Sequence, residues 1–146
     1  MALWQFDVAL NAKDAALPAI TDEGYELAPL SEMAMARANK FLMRHFGQAW
    51  EMLPQWSVYG SEGGNRFDLH LEELGGGTIA ARIDARAPEH FLPRVCELAS
   101  LIGCVLYLPE TKLCIQPIRE ELDKALGESK AAKFVRDPHN VLKGKS

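Results

Sequence analysis

Apolar and polar positions alternate most plainly between Arg66 and Ala85, which read RFDLHLEE, then LGGG, then TIAARIDA. Phe67, Leu69 and Leu71 alternate with Arg66, Asp68, His70 and Glu72, and Ile79, Ala81 and Ile83 alternate with Thr78, Ala80, Arg82 and Asp84. Period two marks strands with one buried and one wet face. The run Gly75-Gly76-Gly77 supplies the conformational freedom of a reversal, so the stretch predicts an antiparallel hairpin with an apolar floor and a charged roof. If Leu71 pairs with Ile79, Asp68 faces Arg82.

Upstream, Trp4, Phe6, Val8 and Leu10 alternate with Gln5, Asp7 and Ala9, a first strand of the same sheet. The segment from Asn11 to Glu23 reads as a loop with one short helical turn, and Tyr25 and Leu27 as a brief extended piece. Ser31 opens a helix as its N-cap, and Ala34, Ala38, Phe41, Leu42 and Phe46 recur at helical spacing up to the stop at Gly47. A short helix is expected over 49–53 and a strand over 55–60, which completes a meander with the central hairpin. Phe91, Leu92, Val95, Leu98, Ala99 and Ile102 form a second helical stripe; Pro93 places its regular start at His90 or later. Val105 to Leu108 reads as a strand covered on both faces, returning through Leu113 to Gln116. A last helix starts at Pro117, with Gly127 as an interruption before Ser129 to Val135.

These elements predict an α+β fold in the order β-α-β-β-β-α-β-β-α, mainly one antiparallel sheet with about three helices on one face. Residues 1–136 form a single domain, and 137–146 a polar, frayed tail with Lys143 and Lys145. With 146 residues, the chain buries a core without a metal or disulfide. The net charge of −4 argues against nucleic acid as the main partner, since phosphate binding needs a concentrated basic face. Cys96, Cys104 and Cys114 have neither disulfide nor zinc-ligand spacing and read as core thiols. The opening MALWQFDVAL carries Asp7 and no basic region, so the expectation is a cytoplasmic protein with no membrane span.

No nucleophile elbow, zinc-binding HExxH, dinucleotide fingerprint or P-loop is present. His45, His90 and His139 share no ligand spacing, and the glycine pair Gly63-Gly64, like Gly75-Gly77, reads as a turn; no cofactor and no metal are expected. One chemical constellation is left. His70 with Asp68, Arg82 or Asp84 on the outer hairpin face has the residue types for general acid–base work, set against the simpler reading of a solvated charged face.

The strings RFDLHLEE…TIAARIDAR, FLPRVCELASLIGCVLYLPET and ESKAAKFVRDP together resemble the small bacterial immunity proteins of polymorphic-toxin and type VI secretion systems. The likeness spans about residues 56–138. It implies a cytoplasmic protein that neutralises a cognate effector toxin by binding it and covering its active site, without catalysis. On that reading Asp68, Glu72, Glu73 and Asp84, with Glu62 on the adjoining loop and Tyr59 or Trp56 as aromatic anchor, contact the partner. The alternatives are a small enzyme built on His70, and an assembly subunit or adaptor that uses an exposed sheet edge.

Overall fold

The alternating run at the N-terminus forms the strand around which the sheet is laid. In the computed structural model, which describes residues 2–139, β1 (Gln5–Ala12) sits inside a seven-stranded antiparallel sheet. The other strands are β4 (Trp50–Leu53), β5 (Trp56–Gly60), β6 (Arg66–Leu71), β7 (Gly77–Asp84), β8 (Cys104–Leu108) and β9 (Leu113–Ile115), in the order β4-β5-β6-β7-β1-β8-β9. β2 (Ala19–Thr21) and β3 (Gly24–Glu26) make a separate hairpin. The class is α+β as expected, with nine strands and four helices among the described residues.

One face of the sheet is hydrocarbon. Phe6, Val8, Leu10, Phe67, Leu69, Ile79, Ala81, Ile83 and Leu106 are all buried there under the helices. Helix α1 (Glu32–Phe46) contributes Met35, Ala38 and Leu42, and α2 (Leu92–Leu101) contributes Leu92, Val95, Leu98 and Ala99. Phe46, Phe67 and Phe91 meet with ring centroids 4.7–6.0 Å apart. Helices α3 (Arg119–Gly127) and α4 (Lys130–Arg136) close the layer through Leu122, Leu126 and Ala131.

Capping chemistry sets the helix limits. Ser31 Oγ accepts from Ala34 N at 3.1 Å, and Gly47, at φ 78°, donates back to Met43 O. Pro93 lies in the first turn of α2, where no intrahelical donor is lost. The expected single C-terminal helix is two: α3 starts at Arg119, two residues after Pro117, and ends at Gly127, and Ser129 Oγ caps α4 by accepting from Ala132 N.

Three local expectations are corrected. Residues 50–53 form strand β4, because half-buried Trp50 and Met52 alternate with exposed Glu51 and Leu53 and the chain reverses at Gln55, φ 66°. The loop expected over 11–23 contains β2, which pairs with β3. The β6–β7 register is shifted by two: Leu69 faces Ile79 and Leu71 faces Gly77, so Asp68 lies opposite Ala80 and Arg66 opposite Arg82. The cause is where the turn is centred: Glu72 N donates to Gly76 O, so the chain reverses about Leu74, with Glu73 and Gly75 either side of it, one residue ahead of the centre that pairing Leu71 with Ile79 implies. Of the tail expected from 137, residues 140–146 lie outside the described residues.

Candidate functional site

The second face of the sheet carries the polar residues singled out by the alternation, but it buries much of what was expected to be wet. Arg66 and Asp68, two apart on β6, are each 3% exposed. Arg66 Nη2 donates to Asp68 Oδ2 at 3.0 Å, and Nε lies 2.9 Å from Oδ1, off the line of a hydrogen bond, as an ion-pair contact. Trp56 Nε1 also donates to Asp68 Oδ2 (3.1 Å), and Arg66 Nη1 reaches Glu62 O (3.2 Å). A buried carboxylate is tolerable when it is paired and hydrogen-bonded in this way. Asp68 is thus enclosed beneath Trp56, which corrects the expectation that it lies on a wet face.

Asp84, also expected to be wet, is buried too. It is 6% exposed, and its carboxylate accepts from the Arg86 side chain through Nε and Nη2 and from Arg86 N, all at 2.9 Å. Burial alone would raise the Asp84 pKa, but the hydrogen bonds and charge of Arg86 outweigh it and hold the carboxyl below its ordinary 3.8. The Arg86 guanidinium lies 4.0 Å from the Trp4 ring centroid, and both side chains donate to Gly63 O. This clasp joins β1, the β5–β6 turn and the end of β7. Tyr59 is 1% exposed on the opposite, helix-covered face, where its hydroxyl meets Asn39 of α1. It points inward because it pairs with Phe67, not with the outward Asp68.

The His70 constellation is divided among separate partnerships. His70 is exposed and stacks on Trp56, centroids 4.8 Å apart. Burial of its ring lowers its pKa below 6.5, with Asp68 opposing and Arg82 reinforcing the shift. Asp68 is committed to Arg66, Asp84 to Arg86, and Arg82 lies 3.8 Å from Asp7.

Sequence reasoning passed over Asp7, which sits between Phe6 and Val8. Burial, reinforced by the nearby charge of Asp68, raises its carboxyl pKa against the opposing pull of Arg82. Close by, Tyr25 of the β2–β3 hairpin packs on Tyr107, centroids 5.2 Å apart. The signal was an acidic residue between two floor positions of a strand that proved central. The thiols of Cys96 and Cys104 are pushed up to about 11 by burial, so they stay protonated. Among the described residues no cluster of three or more His, Cys, Asp or Glu could hold a metal ion, and no helix is long and apolar enough to cross a membrane.

What remains exposed gathers at the end of the sheet where β6 turns into β7. Leu74 is 94% exposed at the tip, between Glu73 and Gly75, with Leu71 and exposed Glu72 just before it. Leu71 N donates to Gln55 O, which brings the β4–β5 turn and exposed Leu53 alongside. The Glu32 side chain lies against Gly75, where an added Cβ would stand 2.8 Å from its carboxyl carbon. Leu74 and the carboxylates Glu32, Glu72 and Glu73 therefore share one end of the molecule, with Leu71 on the helix side of the sheet and Leu53 on the His70 side. Glu62 is exposed too, but in the β5–β6 turn at the other end of β6, about 20 Å away at ~3.3 Å per residue. The expected acidic surface is therefore two separate places.

No family model matches the chain, and neither do any curated protein or solved structure.

Proposed function

We propose that this chain is an immunity-type protein, acting in the cytoplasm, that binds a cognate antibacterial toxin and covers its active site. The observation that carries this reading is the Leu74 tip: an almost wholly exposed leucine that follows exposed Glu72 and Glu73, in a turn against which Glu32 lies. A side chain so placed contributes nothing to the core, while an apolar anchor with a charged rim is the anatomy of a protein interface. The carboxylates select a basic partner surface, the character of active sites that handle phosphate groups, and speed its approach. The dispersal of His70, Asp68, Arg82 and Asp84 into separate partnerships favours binding over the acid–base alternative.

The test compares wild type with Leu74→Asp and Glu72→Lys/Glu73→Lys as bait in lysate of the native host. A stoichiometric protein held by wild type and lost by both variants is then expressed alone in bacteria. The expectation is growth arrest that co-expression of wild type relieves and of Leu74→Asp does not. A captured protein that is harmless, or retained equally by all baits, overturns the reading.

A further inference from the structure

The two edges of the main sheet are unequal. On β4 the register slips between Glu51 and Leu53, and Pro54 follows directly, devices that make a strand edge a poor template. At the other edge β9 pairs only with β8, and Leu113–Ile115 holds no proline, charge or register slip. Leu113 is 60% exposed. Beside it, between β9 and α3, lies a groove of about 350 Å³ floored by Leu108, Leu113 and Ile115. Glu110, Glu121 and Glu128 line it against a single cation, Lys124. Leu113 and Ile115 pair with Leu108 and Leu106, so the groove lies on the helix side of the sheet. Alternate side chains of a strand laid along β9 would point into it.

We propose that the β9 edge and this groove accept an extended basic segment of a partner protein as an eighth strand. The edge supplies backbone hydrogen bonds, the groove takes an apolar side chain, and the carboxylates favour flanking lysine or arginine. A second copy of this chain is the wrong occupant, because pairing β9 with β9 about a twofold axis sets two acidic grooves against each other. The proposal is independent of the Leu74 tip and of whatever protein binds there.

The probe is an acetylated heptapeptide of alternating lysine and valine, titrated into the isotope-labelled full chain and followed by amide NMR and hydrogen exchange. The Leu113, Cys114 and Ile115 amides are expected to shift, and those that point away from β8 to gain about tenfold protection. A peptide with the same side chains but its edge-facing amides N-methylated should bind about tenfold more weakly, the scale of one or two net hydrogen bonds. Glu121→Gln/Glu128→Gln should weaken the lysine peptide several-fold and leave a serine–valine peptide unaffected. Shifts confined to other strands, or equal binding of the N-methylated peptide, overturn the proposal. So does β9 protection that rises with protein concentration when no peptide is present, which would identify a self-paired edge.

Discussion

Both faces of the sheet hold fully buried side chains, by opposite means. Under the helices, Val8, Phe67, Ile79 and Ile83 are 0% exposed and held by packing alone. On the other face Arg66 and Asp68 reach 3% by satisfying one another beneath Trp56. The hydrocarbon face tolerates exchange of one apolar side chain for another of similar volume, but no charge. The polar face tolerates charge but not the loss of either partner, since a buried ion without its counterion is worse than none.

The largest break of this contrast is Ile83→Asp, which buries an unpaired carboxylate between β1 and β6. A loss above about 4 kcal/mol is expected, visible as an unfolded far-UV spectrum at room temperature. Next is Asp68→Ala, which leaves Arg66 charged and enclosed, at about 3–5 kcal/mol in a denaturant melt. The double variant Arg66→Met/Asp68→Leu should recover most of that loss; if it melts no higher than Asp68→Ala, the pair is not the reason this face holds.

Smaller effects sharpen the comparison through pH. Asp84→Ala should cost about 1 kcal/mol, because half-exposed Arg86 keeps much of its hydration. Asp84 has a depressed folded pKa, so its contribution is present above 3.8 and is lost as the pH falls through the folded value. The wild-type advantage over Asp84→Ala should therefore shrink in acid. Asp7 has the opposite sign. Its folded pKa is raised, so its ionised form opposes folding at neutral pH, and the cost disappears as the pH falls below 3.8. Asp7→Asn should melt slightly above wild type at pH 7, and the gap should close on acidification. A gap that widens would mean that the Arg82 contact outweighs the burial of Asp7.

The sequence made the hydrocarbon face readable and the polar face only half so. Phe67, Leu69, Ile79, Ala81 and Ile83 all point where their alternation places them, because one-sided burial imposes period two. The same alternation put Asp68 and Asp84 on the correct side of the sheet but could not reveal their burial, which depends on Trp56 and on the Asp84–Arg86 clasp. Register lay beyond reach for a different reason. Three consecutive glycines allow several turn lengths, and the shift by two keeps every side chain on its face while changing every cross-strand partner. Residues 49–53 were too few for helical and strand periods to be told apart. The exposed tip was not legible either, because the glycine run, and not Leu74, looked like the centre of the turn.

The position of β1 imposes an order of events during synthesis. Both strands it pairs with, β7 and β8, lie downstream, and about 65 residues separate its end from the start of β7. At about 5–20 residues per second, roughly 4–19 s pass between the making of Phe6, Val8 and Leu10 and that of their partners Ile83, Ala81 and Leu106. Meanwhile β4, β5, β6 and β7 follow one another as local hairpins and can pair as they emerge. The meander can thus pair before β1 is placed, and β1, made ahead of both its neighbours, completes its pairing between β7 and β8 only once the strand after α2 has been made.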